Sequence, residues 1–170
     1  MAVWRSEGGQ LDNAGFRRII RELRLPRRTG VAELCAAVGD RLGRPVRLRR
    51  AELPPELPSG LVLVTGTAFV VFLDALADPW LQDGIACHEL AHLLLGHHLE
   101  PLTDPEASRR ILPTLEPGTV DRALTRTCYD EDSERAAEAL GTALFGRLNP
   151  WVPGSGEAVI DRIERALGSG

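Results

Sequence analysis

The chain has 170 residues, 44% hydrophobic and 26% charged with a net charge of −4, which suits one domain with a core of its own and excludes a disordered chain. No run of eighteen apolar residues occurs, and the N-terminus MAVWRSEGGQLDN lacks the apolar stretch of a secretory leader, so a cytoplasmic setting without a membrane partner is expected. Cys35, Cys87 and Cys128 are odd in number and far apart, which argues against a disulfide framework and predicts free thiols.

Residues 1–53 form a helical, Arg-rich N-terminal part. Residues 12–24 read as an amphipathic helix, with Phe16, Ile19, Ile20 and Leu23 at helical spacing and Pro26 ending it. A second helix runs from about Val31 to Leu42, after Thr29 and closed by Gly43. Residues 1–50 carry twelve arginines against five acids, and the remaining 120 residues carry eight against nineteen. The basic third reads as a solvated face, with docking to an acidic partner as the alternative.

Pro45 to Arg50 alternates Val46 and Leu48 with arginines, the period of a half-buried edge strand. After a turn-rich stretch, Leu61–Thr65 and Thr67–Leu73 flank Gly66 as a hairpin. Asp78 before Pro79 signals a capped helix reaching about Gly96, whose apolar positions Leu81, Ile85, Leu93 and Leu94 mark it as buried. Residues 98–118 read as a long proline-containing loop available for substrate contact. A helix from about Glu131 to Arg147 buries Ala136, Ala137, Leu140, Ala143 and Leu144 and stops at Asn149-Pro150; a last helix, about Gly156 to Leu167, occupies the segment 154–168.

All four histidines lie between positions 88 and 98, and two of them stand in His88-Glu89-Leu90-Ala91-His92 on the capped helix. Four residues make about one helical turn, so both imidazoles leave the same face about 6 Å apart and can share one zinc ion at roughly 2 Å from each nitrogen. Glu89 lies about 100° round the helix, facing the open coordination position rather than the ion. Zinc so held brings the pKa of its water to about 7, and Glu89 is the base that takes the proton and delivers it to a leaving amine. Peptide hydrolysis is the matching reaction, and the bland reading is two histidines satisfied by backbone carbonyls. A third ligand is needed from the acidic run Asp130-Glu131-Asp132-Ser133-Glu134. Glu134 is chosen, with Glu138 one turn later placed to accept a ring N–H from a ligating histidine. Asp130, Glu131 and Asp132 read as favourable charge at a helix N-terminus.

HELAHLLLGHH followed by SERAAEALGTALF resembles the ImmA/IrrE family of zinc metallopeptidases, the likeness covering mainly residues 60–147 as a catalytic core. Glu134, Ala137, Glu138 and Leu140 match the family's ligand helix, whereas Gly141 stands where alanine is usual and the segment from His92 to Glu134 is long. The resemblance implies a single α+β, zincin-like metallopeptidase domain over residues 1–170, a small antiparallel or mixed sheet packed on the HExxH helix among surrounding helices. It also implies a regulatory intracellular endopeptidase with one Zn²⁺, cleaving a protein partner such as a helix-turn-helix transcriptional repressor. The chain has no helix-turn-helix signature of its own, so no direct nucleic-acid contact is expected, and the oligomeric state is left open.

Tyr129, just before the ligand helix, is a candidate donor to the oxyanion, with a half-buried structural role equally open. His97 and His98 follow the helix end, where a cation suits the helix dipole; assistance to the oxyanion is the alternative. Cys87 is expected to be buried away from the metal, and a Cys128 thiolate could block the zinc position in a redox-sensitive state. An extended substrate is expected to add to the edge of the strand near Thr67–Leu73. Two other readings stand beside the peptidase. One is a non-catalytic or weakly catalytic metal-stabilised binding module of a toxin–antitoxin or regulatory system; the other is an enzyme acting on a small amide in a closed pocket.

Overall fold

The computed structural model of the chain describes residues 13–26, 29–53, 55, 57–97, 100–101, 122–124 and 131–150. In chain order these form α1 (Asn13–Glu22), α2 (Val31–Leu42), β1 (Val46–Ala51), β2 (Gly60–Val64), β3 (Phe69–Asp74) and α3 (Pro79–Leu95). Two short strands, β4 (Glu100–Pro101) and β5 (Arg122–Leu124), then precede α4 (Glu131–Leu148). The candidate residues Tyr129, Cys128 and His98, and the C-terminal helix read at 154–168, lie outside the described residues.

The sheet is mixed, in the order β1-β3-β2-β5-β4. The hairpin expected around Gly66 is present: β2 and β3 pair antiparallel from Gly60↔Leu73 to Val64↔Phe69. Its turn closes on Thr65, whose N–H donates to the Ala68 carbonyl at 2.9 Å and whose Oγ1 accepts from the Ala68 N–H at 3.0 Å. β1 is an edge strand, as its alternation predicts, and runs parallel to β3 with Leu48 opposite Val71. β3 is therefore flanked on both sides, and the expectation that a substrate adds to its edge is overturned because β1 and β2 already use its backbone groups. The segment read as an unbroken loop after residue 98 contributes β4, which pairs with β5; β5 in turn pairs with β2. A two-residue strand is too short to show a period.

β2 is buried at every position, and neighbouring side chains point to opposite faces. Val62, Val71 and Leu73 pack with the helices, whereas Leu61, Leu63 and Phe72 form a second cluster. The main core joins that first set to Leu34 and Val38 of α2, Ala86, Leu90 and Leu94 of α3, and Leu140 and Leu144 of α4. No helix among the described residues is long and apolar enough to cross a membrane.

α3 is central because it is apolar round much of its circumference, with Ala86, Cys87, Leu90, Ala91, Leu93, Leu94 and Leu95 all buried. Leu81 is the exception to the sequence reading: it stands in the first turn, 46% exposed, beside Trp80 at 64%. The helix begins and ends on the expected signals. Asp78 Oδ1 accepts the Leu81 N–H at 2.9 Å, Pro79 follows it, and Gly96 turns the chain out at φ 69° and ψ 28°. Gln82 locks the first turn to the sheet. Its amide nitrogen donates to the carbonyls of Asp74 (3.1 Å) and Ala77 (2.8 Å), and its oxygen accepts from Arg50 Nε at 2.6 Å. Replacing Asp78 by Ala removes the capping oxygen while leaving Pro79, and a loss of about 1 kcal/mol is expected in urea denaturation. An unchanged midpoint would mean that Pro79 and Gln82 suffice to start the helix.

The leading helices follow their predicted bounds closely. α1 stops at Glu22 because Arg24 turns left-handed, at φ 49°. Arg18 and Arg41 both hydrogen-bond the Glu22 carboxylate and hold it below the usual range, so Arg41 ties α2 to α1. α2 is capped when Glu33 accepts the Gly30 N–H at 2.9 Å, and it closes at Gly43 with φ 68°.

Candidate metal centre

α3 and α4 pack side by side, and glycine permits the approach. A Cβ at Gly141 would stand 3.1 Å from the His88 Cα and 3.2 Å from its backbone nitrogen, tighter than ordinary carbon contacts. Gly141 lies seven residues after Glu134, two turns along the same face of α4, so the contact that brings the helices together also presents Glu134 to α3.

Three side chains converge between the helices. His88 Nε2 and His92 Nε2 are 3.0 Å apart, and the two Glu134 oxygens lie 3.6 Å from them, Oε2 from His88 and Oε1 from His92. One ligand atom from each of the three residues lies within 4.8 Å of the others. Zinc–nitrogen and zinc–oxygen bonds of about 2.0–2.1 Å at a tetrahedral angle would separate donors by about 3.3–3.4 Å, a value between the two spacings observed. Glu134 Oε1 is buried and has no hydrogen-bond partner among the described residues. A buried carboxylate oxygen left so is costly, and a cation between it and two imidazole nitrogens removes the cost. The residues present therefore fit a single metal ion.

Exposure is graded across the centre. His92 is 1% exposed, His88 19% and Glu134 32%, so the centre is open on the side of His88 and Glu134 and closed at His92. His88 lines two cavities. One, of about 190 Å³, is bounded by Ser59, Gly60, Leu81, Ile85 and Glu89. The other, of about 220 Å³, is bounded by Trp80, Leu81, Glu138, Thr142 and Phe145, with Trp80 set edge-on to Phe145 at 5.0 Å between centroids.

Glu89 is 6% exposed and belongs to the first cavity rather than to the converging trio. Its neighbour is Gly60, the first residue of β2, where an added Cβ would fall 2.7 Å from Glu89 Oε1 and 2.4 Å from Ile85 Cγ2. The missing side chain at Gly60 is what lets the carboxylate reach the cavity. In the sequence this glycine reads only as the end of a turn, although its place between a proline-rich turn and a buried strand is a signal for close approach.

Glu138 is exposed in the second cavity, and among the described residues no hydrogen bond joins it to His88 or His92. The group facing the far side of the His92 ring is His97, with Nδ1 2.9 Å from His92 Nδ1. Glu131 and Asp132 are surface charges held by Arg135 at 2.8 and 3.0 Å, in keeping with their reading as N-terminal helix charges. Cys35 and Cys87 are free and buried. Burial pushes the Cys35 thiol up to about 11; it raises the Cys87 thiol to about 12, with Asp83 and Cys35 adding to the effect. Cys87 is thus an apolar neighbour of the centre and not a thiolate.

Comparisons with models of known protein families, with curated proteins and with solved structures find no match for this chain.

Proposed function

We propose that the chain is an intracellular zinc-dependent endopeptidase with His88, His92 and Glu134 as metal ligands and Glu89 as general base. The observation that carries this reading is the convergence of two imidazoles and a carboxylate whose Oε1 is buried without a hydrogen bond among the described residues, beside a cavity lined by a second, separate carboxylate. Among the described residues the donor set has three members, which leaves a position for substrate, the mark of a catalytic rather than a structural zinc site. The resemblance of residues 60–147 to the ImmA/IrrE family supports the same chemistry and a regulatory role, with a helix-turn-helix repressor as the partner cleaved.

His88, His92 and Glu134 would hold the zinc ion, which would supply Lewis-acid chemistry for a carbonyl and for water near neutral pH. The chain's own residues do the rest. Glu89, buried beside Gly60, takes a proton from the attacking water and returns it to the leaving nitrogen, so one water is consumed and one amide bond becomes an acid and an amine. Tyr129 is proposed as the donor to the oxyanion. His88, partly open between the two cavities, is the ligand nearest an incoming chain.

The test is direct. The purified chain is expected to take up one equivalent of zinc and, with zinc alone, to cut repressors encoded beside its gene into fragments seen by mass spectrometry. A chelator should abolish the fragments and added zinc restore them. Zinc uptake with capture of an intact partner would favour the binding module, and folded protein that takes up no divalent ion would end both readings.

A further inference from the structure

We infer that His97 is a positioning residue that holds His92 in the one tautomer able to bind metal, an inference that rests on the metal reading above. His92 turns Nε2 toward His88 and Glu134, at 3.0 and 3.6 Å. A ligating nitrogen must offer its lone pair, so the proton of the neutral ring has to sit on Nδ1. That Nδ1 is 2.9 Å from His97 Nδ1. The bond therefore has one sense: His92 Nδ1–H donates and His97 Nδ1 accepts. Turning the His92 ring over would exchange each nitrogen with a ring carbon, so that Cε1 would replace Nε2 in the centre and Cδ2 would face His97.

The backbone holds His97 for this task. Gly96, at φ 69°, reverses the chain at the end of α3, and the His97 N–H then donates to the His92 carbonyl at 3.1 Å. His97 is thus anchored through its backbone to the residue whose ring it meets, with the two rings inclined at 68° and their centroids 5.0 Å apart. Because His92 is only 1% exposed, bulk water is poorly placed to stand in for a lost acceptor. Partners of this kind orient ligating histidines and raise their basicity.

The experiment compares wild type, His97→Ala and His97→Asn as full chains, with zinc alone as the probe. Zinc affinity is read by competition with a chromophoric chelator. The alanine variant keeps the N–H that meets the His92 carbonyl but lacks the acceptor, and about 10- to 100-fold weaker zinc binding is expected. Asparagine can present a carbonyl oxygen near the place of Nδ1 and should recover most of that loss, which a general packing effect of the ring would not allow. In parallel, ¹⁵N-histidine NMR of the zinc-loaded wild type should show the His92 proton on Nδ1 with a coupling across the hydrogen bond to His97 Nδ1, a readout that needs no variant to fold. A folded alanine variant that binds zinc as tightly as wild type, or a zinc-loaded His92 with no proton on Nδ1, would overturn the inference alone. Wild type that takes up no zinc would remove the metal reading and the inference together.

Discussion

Glu89→Gln is expected to bind zinc like wild type and to lose hydrolysis by about 10²- to 10⁴-fold, the usual worth of a positioned general base. The two halves of the expectation come from different observations. Metal retention follows because Glu89 is outside the donor group formed by His88, His92 and Glu134. Loss of turnover follows because glutamine has the shape of glutamate and keeps the contact with Gly60, yet cannot take a proton. The side chain is 6% exposed, so water cannot readily replace it as base. Zinc content by atomic absorption and fragment yield from a cleaved repressor, measured on the same preparation, separate the two effects. A glutamine variant that still cuts would reject Glu89 as base while leaving the metal centre standing, and a variant that loses zinc as well would mean that Glu89 supports the ligands.

The parts of this site that were legible in the sequence are those set within one stretch of chain. Asp78, Pro79 and Gly96 delimit α3 by local backbone chemistry, and the spacing of His88 and His92 places two imidazoles on one face whatever the helix packs against. Glu134 could be chosen from its acidic run in the sequence, and in the fold it is set apart from Glu131 and Asp132 by the face of α4 turned to α3.

What escaped the sequence depends on segments that meet only after folding. Gly60 and Gly141 are punctuation in a one-dimensional reading, but a Cβ would collide with α3 at Gly60 and press tightly on its backbone at Gly141. His97 reads as a helix-end cation in the sequence, whereas in the fold Gly96 turns the chain and brings its ring back to His92. The free edge imagined for β3 vanished because β1, separated from it by the hairpin partner β2, inserts alongside in parallel. Leu81 fits the apolar period of α3, yet the first turn projects past the packed neighbours and leaves it beside the cavities. Periodicity reports which face is apolar and does not report where a helix outruns its cover.

Gly60→Ala tests that close approach where it bears on chemistry. The new Cβ would sit 2.4 Å from Ile85 Cγ2 and 2.7 Å from Glu89 Oε1, two collisions with different remedies. Ile85 is branched at Cβ and cannot swing its methyl clear without moving α3, so a loss of stability of about 1–3 kcal/mol is expected. Glu89 has a longer side chain and can yield by rotating its carboxylate, which displaces the base; a shift of about 1 Å is enough for about a 10²-fold loss of activity. The ligands lie outside this contact although His88 and His92 share α3 with Ile85, so zinc affinity should fall much less than activity. Combining Gly60→Ala with Ile85→Ala relieves the first collision and leaves the second. The pair should therefore destabilise by less than the sum of the single changes, while activity stays low. Full activity in a folded Gly60→Ala chain would mean that the base does not work from the position beside β2, and the proton transfer would have to be assigned elsewhere.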